Sequence, residues 1–592
     1  MLLRELIRFS TQHRTLYCYM MLSIWIFLLI AGMYKYIATN NASLGNTLNY
    51  LSRKEDSANA LLADKQSAKL RNFKECCTPL SQITRRDDGG LLEGWRLQGV
   101  LLVIRHGDRG PMSHVRAVSS IDCGVSPGDT LVNRYRSFLH NTSSTSGANH
   151  MYWNKVGAFH GFALLPATDR SCLLGQLTYK GITQLLHVGE LLHQVYAHPL
   201  GLLYKVPPGS KYGSSSSTPH SLLNSDEVVL YTTRYRRTFQ SSLALLFTLL
   251  PTDKWLALNV RESHSMAFCF TDCTCAQAEA LQRSLIAQNA DQLAQHPAMS
   301  SIIQWIGATL LQHMPFDSGD SSTPPLRHSN EVVDAVLTVL CHDAALPCRL
   351  VPNNSSSSSR NRITTPGTME LSDVINIDQD DPAANLIEAA ATLSEEVSQH
   401  RRRSYQHSSG SDTVADLCID PSHIAALMSY ANMQSAREAR HPFYKRIGLM
   451  RAYGMIRHIV SYMLKMISGD RTKFVLYSGH DRTLQALAAA LGLVVENTFV
   501  PYASRLAFEV YKSEMHTDYY FRVVYNGRDV TQEIDFCEGG KSLRVTRDSR
   551  GNKADLCPIE NIIRFLHEDY FAPLNATNFK DACTTTQKSN EF

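Results

Sequence analysis

The sequence has little net charge. Its 58 Lys and Arg stand against 54 Asp and Glu, which leaves +4 over 592 residues. It has no long Lys/Arg stripe with interleaved aromatics either, and together these absences exclude a protein that holds nucleic acid by bulk charge. The short basic run Arg401-Arg402-Arg403 reads as solvated loop. Runs rich in Asp or His that would hold a metal are missing as well, so neither metal nor other cofactor is expected. What remains is globular: 44% hydrophobic and 19% charged residues, on a chain long enough for a large core and more than one structural unit.

One apolar run is long. From Leu16 to Tyr34 no residue carries a formal charge, and nineteen helical residues suffice to cross a bilayer. Arg4, Arg8 and Arg14 precede the run against Glu5 alone, so the positive-inside rule leaves the N-terminus cytosolic and everything after Lys35 lumenal. A cleaved signal peptide is the competing reading. The apolar core is long for one and no small-x-small site follows closely, which favours an uncleaved signal-anchor. The expected order is a cytosolic tail at 1–15, a membrane helix at 16–36, a polar lumenal stem at 37–92 and a catalytic domain at 93–592.

The cysteines agree with a lumenal domain. Of 14, only Cys18 lies in the span. An oxidising compartment makes disulfides the better reading of "CFTDCTC" (Cys269, Cys273, Cys275) than a metal site, and the odd remainder leaves at least one thiol free or paired outside the chain. Glycosylation acceptor sequences begin at Asn41, Asn141, Asn353, Asn354 and Asn575.

Three short β-branched runs read as buried strands: Val100–Ile104, Val228–Thr232 and Lys473–Tyr477. They end in "RHGDR", "TTRYRRT" and "SGHD". Between them lie helical stretches such as Leu177–Tyr196, with Leu185, Val188, Leu192 and Val195 near one face. Alternating strands and helices imply an α/β sheet, whose ligands bind beyond the carboxyl ends of the strands. The three polar clusters are therefore expected at one site. Arg505–Ser513 and Tyr519–Val530 read as a strand pair near the C-terminus. Low-complexity patches at Gly213–Pro219, Asn353–Arg362 and Gln406–Asp412 mark surface loops, and Val351–Asp412 reads as a partly disordered insertion.

The first cluster suits an anion. Arg105 and Arg109 offer planar donor forks for phosphate oxygens. Gly107 allows a sharp turn and close approach to a ligand. A helix starting near Pro111 would add N-terminal amides. Nearby arginines would lower the pKa of His106, leaving a neutral imidazole as nucleophile at mildly acidic pH. Of Arg234, Arg236 and Arg237, one or two can point inward. His480 can donate to phosphate and Asp481 can protonate a leaving alcohol. Asp108 has no assigned role; solvent or a helix cap is expected for it. Each cluster alone is weak, since short motifs recur by chance.

Together, "RHGDRGP" and the distant "SGHD" resemble the histidine acid phosphatase family, with its Arg-His-Gly-x-Arg-x-Pro motif and late His-Asp pair. "RRTFQS" (Arg236–Ser241) resembles the middle element of that family, in which the Arg before Thr, here Arg237, completes the phosphate pocket. The resemblance implies a mixed-sheet α/β core flanked by helices, with a mainly helical cap inserted near 112–225 and 260–430. It implies that His106 forms a phosphohistidine and Asp481 is the acid, while Arg105, Arg109, Arg237 and His480 hold the phosphoryl oxygens. It does not extend to the 351–412 insertion.

An N-terminal span with a polar C-terminus is an architecture of Golgi glycan-modifying enzymes. "SSIDC", "AFCFTDCTC", "CHDAALPC", "YNGRDVT", "CPIENIIRFLHEDYF" and "DAC" resemble the branch of the family that takes the 2-phosphate off xylose in the proteoglycan linkage region. The partners so implied are the phosphorylated linkage-region glycan, the membrane and the linkage-region glycosyltransferases. A broader lumenal acid phosphatase or inositol-phosphate phosphatase, and a non-catalytic glycan-binding protein, stay open; the completeness of the six expected positions speaks against the last.

Overall fold

The computed structural model describes residues 73–84, 86–90, 92–125, 128–144, 159–203, 227–269, 274–312, 326–350, 416–493, 500–547 and 553–584. The expected tail, membrane helix, most of the stem and the 351–412 insertion lie outside these, as do Asn41, Asn353 and Asn354. Among the described residues no helix is long and apolar enough to cross a membrane.

The strands are β1 (Trp95–Arg105), β2 (Val228–Thr233), β3 (Val260–Ser263), β4 (Cys348–Leu350), β5 (Asp416–Cys418), β6 (Phe474–Gly479), β7 (Arg505–Ser513), β8 (Tyr519–Tyr525), β9 (Arg528–Asp529), β10 (Leu543–Thr546) and β11 (Lys553–Pro558). The main sheet runs β10-β11-β8-β7-β1-β6-β2-β3. β1, β6, β2 and β3 are parallel neighbours, and from β7 outward the pairing is antiparallel. The sheet is mixed, as expected, and β1 is the seam between its halves.

The sequence of β1 explains its place. Successive side chains point to opposite faces of a sheet, and both faces here are covered. Leu101 and Val103 enter one apolar cluster, while Val100, Leu102 and Ile104 enter the other. A run without alternation is what such a strand requires. Each of these side chains, once buried, contributes roughly 2 kcal/mol. The second face is closed by α1 (Thr130–Ser144), α2 (Tyr179–Leu192) and α3 (Arg236–Leu249). Next come α4 (Ala276–Ala294), α5 (Pro297–Leu310), α6 (Leu326–Cys341), α7 (Pro421–Arg440), α8 (Pro442–Ile467) and α9 (Asp481–Leu491). Helices α8 and α9 close the first face; α5, α6 and α7 build a third cluster with Val115 and Ile121, the helical cap.

Four details differ from the sequence-based expectations. The strand expected over Tyr519–Val530 breaks after Tyr525, because Asn526 and Gly527 both take positive φ and turn the chain back as β9. Helix α2 is buried on nearly all sides rather than along one stripe, and a π-helical turn over His193–Ala197 carries it on. No helix follows Pro111; its neighbours' amides are already committed, Gly110 N to Gln176 O at 2.9 Å and Met112 N to Asp334 Oδ2 at 2.7 Å.

Finally, residues expected in the stem belong to the fold. Cys77 is bonded to Cys341 at the end of α6. Asp88 is buried and bidentate to Arg505, at 3.0 and 2.7 Å, and Gly89 N donates to Glu509 Oε1 at 2.7 Å. The acids of a polar segment are here the partners of sheet arginines.

Further disulfides join Cys123–Cys172, Cys275–Cys583, Cys348–Cys418 and Cys537–Cys557, and Cys269 is also disulfide-bonded. The free thiol among the described residues is Cys76.

Candidate active site

The parallel half of the sheet brings the three polar clusters together. Arg105 lies opposite Gly479 and Thr232 opposite Ser478, so β1, β2 and β6 end side by side. His106 follows directly, fixed by its own amide to Gly479 O (3.1 Å) and by Ala503 N to its carbonyl (3.1 Å).

His106 is 2% exposed. Its Nδ1 lies 2.8 Å from Gly107 O. A carbonyl only accepts, so Nδ1 carries the proton and Nε2 keeps the lone pair. Burial first, then Arg105, Arg237, His480 and Arg109, hold the His106 pKa well below the usual imidazole value. The neutral, Nε2-nucleophilic form persists in mild acid.

Gly107 is required by packing rather than by a turn. A Cβ there would stand 2.3 Å from Gly181 O in the first turn of α2, and a Cβ on Gly181 would stand 2.3 Å from Asp108 O. The close approach is to the first turn of α2. Gly107 N donates to Ser241 Oγ at 3.1 Å.

Three guanidinium groups surround the histidine. Arg105 donates to Val500 O, lies 3.4 Å from Asp481 Oδ2 and stacks 4.3 Å over the Tyr502 ring. Arg237 is the inward arginine of its cluster, whereas Arg234 and Arg236 are exposed. The Nε atoms of Arg105 and Arg237 are buried without a hydrogen-bond partner, which a phosphate oxygen would supply. Arg109 is held differently. Its Nη1 and Nη2 pair with Asp334 on α6 at 3.3 and 2.7 Å, and Nη1 also donates to Gly110 O at 2.9 Å. Of its five N–H groups these contacts take three, leaving two for a ligand.

His480 meets the site through Arg237. Arg237 Nη2 lies 3.4 Å from His480 Nδ1, and His480 Nε2 lies 3.0 Å from Thr233 Oγ1. Thr238 Oγ1 lies 2.9 Å from Thr233 Oγ1 and has carbonyl acceptors of its own in Thr233 O and Tyr235 O. The proton assignment that satisfies this chain has Arg237 donating to Nδ1 and Nε2–H donating to Thr233. Both ring nitrogens are then engaged, so the expected direct donation from His480 to phosphate is not available in this arrangement. Burial, then Arg237, brings the His480 pKa down to about 3.

Asp481 opens α9, with its carboxyl 37% exposed. Burial raises its pKa, but Arg105, the Arg482 amide, Arg109 and His480 outweigh this and hold it below the usual carboxylate range. With ligand absent it is ionised.

Two residues near the site carried no readable signal. Asp334 lies 225 residues from Arg109, in the middle of an ordinary amphipathic helix. His342 follows α6, and its Nε2 lies 3.0 Å from Asp108 Oδ2 with both side chains about 1% exposed. Asp108 is therefore neither solvated nor a helix cap: it also accepts from Thr178 Oγ1 at 2.6 Å, and its amide donates to Gln184 Oε1 at 2.8 Å. His342 lies within "CHDAALPC", whose resemblance to the family branch gives it no role. The candidate metal cluster among the described residues is Cys123, Cys172 and His342, but its two thiols are joined in a disulfide. Of the described acceptor asparagines, Asn141 is exposed on α1, and Asn575 is exposed at φ 51°.

A buried histidine with a free Nε2, ringed by arginines at the strand ends of a mixed α/β sheet, defines a phosphoric monoester hydrolase of the histidine type. The chain belongs to the histidine phosphatase superfamily (branch 2), whose family model matches residues 96–526. It is similar to 2-phosphoxylose phosphatase 1 of Xenopus tropicalis, at 27% identity over 86% of this chain and 81% of that one. To the protein of the same name from Homo sapiens it is 25% identical, over 86% and 85%. Among solved structures it resembles the multiple inositol polyphosphate phosphatase of Bifidobacterium longum in complex with inositol hexasulfate, at 10% identity and a TM-score of 0.42, over 83% of this chain and 98% of that one.

Proposed function

We propose that this phosphatase removes the 2-phosphate from xylose in the linkage region of proteoglycans, within the Golgi lumen, and so supports glycosaminoglycan synthesis. The substrate reading is supported by relatives of that name aligned along most of both chains. The lumenal reading is supported by the disulfides, the acceptor asparagines and the apolar run before Lys35. The observation that carries the chemistry is the Nε2 lone pair of His106 among three arginines.

The site geometry suggests two steps. Phosphate oxygens settle on Arg105, Arg109 and Arg237, and His106 Nε2 attacks phosphorus opposite the ester oxygen. The P–O bond breaks as Asp481 protonates the leaving sugar hydroxyl, leaving a phosphohistidine. Asp481, now a carboxylate, takes a proton from water, whose oxygen attacks phosphorus and returns the electron pair to Nε2. Since Asp481 is ionised in the free enzyme, its proton arrives with the monoanionic ester, whose negative charge offsets the pull of Arg105.

Residues 70–592, which keep Cys77 and Asp88 with the fold, secreted as a soluble protein should release phosphate from a synthetic phosphoxylosyl linkage oligosaccharide. Turnover of an aryl phosphate alone would overturn the substrate reading. Normal turnover in His106→Ala would overturn the mechanism, which otherwise predicts an acid-labile phosphoryl label that this variant loses.

A further inference from the structure

We infer that Tyr235 is the surface on which the leaving sugar ring stacks, so that this side chain selects pyranose esters over acyclic ones. The inference deepens the proposed xylose reading and rests on it.

Tyr235 occupies the N-cap of α3 with φ −123° and ψ 140°, yet makes no capping hydrogen bond. Ser, Thr, Asp or Asn would supply the missing oxygen there, so helix stability does not account for a tyrosine. The residue is 38% exposed. It is nevertheless held. The Arg237 guanidinium sits 4.5 Å from its ring centroid, and the His480 ring lies 4.9 Å away, centroid to centroid, at 85° to it. Its amide donates to Thr233 O at 2.8 Å, which fixes the backbone. An aromatic fixed at low entropic cost, with part of its surface bare, is the form that small-molecule sites use to bind a ring.

Its position fits the chemistry. Asp481 protonates the leaving oxygen, so the leaving group departs on the side of the His480–Asp481 turn. Tyr235 stands on one flank of that turn. Met266, itself 37% exposed, is tied to the same turn: its carbonyl accepts from Thr483 Oγ1, the group that accepts from His480 N at 3.0 Å. The apolar C–H face of a pyranose leaving on that side meets a ring already aligned by the phosphate-binding Arg237.

The test compares two secondary-alcohol esters, methyl β-xylopyranoside 2-phosphate and glycerol 2-phosphate, on the soluble enzyme. In Tyr235→Ala, kcat/KM for the xyloside should fall about tenfold more than for glycerol 2-phosphate, chiefly through KM. Tyr235→Phe should stay within about twofold of wild type on both. Equal losses on the two esters would overturn the inference, because they would mean that Tyr235 only props Arg237; so would no loss on either. If wild type turns over glycerol 2-phosphate but does not prefer the xyloside, the xylose reading fails by itself. The stacking ratio is then read with glucose 2-phosphate, where an unchanged ratio in Tyr235→Ala overturns it.

Discussion

Replacing Asp334 by Ala tests whether the cap helix α6 sets the catalytic arginine. The carboxylate accepts three bonds: Arg109 Nη2 at 2.7 Å, Arg109 Nη1 at 3.3 Å and Met112 N at 2.7 Å. Removing one partner of a buried ion pair costs about 3–5 kcal/mol, much of it from the charge left behind. Arg109 keeps Gly110 O and Asp334 is 16% exposed, so the lower end, about 3 kcal/mol, is expected. For a domain this large that corresponds to a fall of about 3–6 °C in Tm. The variant also removes a negative charge from the pocket. Inorganic phosphate should therefore bind more tightly and restore most of the lost Tm, while kcat/KM falls at least about tenfold because Arg109 is no longer aimed. The assay is thermal unfolding with and without saturating phosphate, beside steady-state kinetics and phosphate inhibition. An equal loss of Tm in both conditions, or unchanged kcat/KM, would refute the reasoning.

Asp481→Asn should slow alkyl phosphate hydrolysis by about 10²–10⁴ and an aryl phosphate far less, since a phenolate leaves without a proton; equal losses would remove Asp481 from the acid role. In wild type, kcat/KM for alkyl esters should fall as pH rises through the second ionisation of the ester, at about 6, and a flat profile from pH 5 to 7 would show that the proton does not come with the substrate. Stability should depend on pH in a stated direction. Burial, aided by nearby cations, lowers the pKa of His106 well below its usual value, that of His458 to about 4 and that of His480 to about 3. Folding these rings neutral is without penalty above about pH 6.5 and progressively costly below it, by up to about 1.4 kcal/mol per pH unit for each ring. Denaturation midpoints should therefore drop from pH 7 to pH 5, and a midpoint that rises over that interval would contradict the assignment.

The parts of this molecule that sequence could reveal are those with a local cause. β1 and β6 were readable because strands buried on both faces are continuously apolar. β7 was readable over its whole length, Arg505–Ser513. Arg105, His106, Arg237 and Asp481 stand at strand ends or first helical turns, where short motifs concentrate them. Where the cause was distant the sequence was silent. Asp334 and His342 act on Arg109 and Asp108 across more than 200 residues of chain, and nothing about a helical Asp separates a partner of arginine from a solvated one. Asp88 fails in the opposite way. Its neighbourhood looks like linker because it is polar, yet Asp88 pairs with Arg505 and the Gly89 amide donates to Glu509 within the sheet. The turn after Arg109 was misread because "GP" suits a helix start, whereas Gly110 is needed where a Cβ would lie 2.1 Å from Leu173 O.

The seam position of β1 also governs how the chain can be made. This strand, among the first of the sheet to be synthesised, is flanked on both edges by strands from the last quarter of the chain, β6 from Phe474 and β7 from Arg505. At about 5–20 residues per second, those partners emerge on the order of 20 to 80 s after β1 has left the ribosome. For that interval the apolar run Val100–Ile104 lies in a strand with two open edges, the condition under which chains aggregate. A stop codon anywhere before β7 therefore yields a product whose central strand can never be closed.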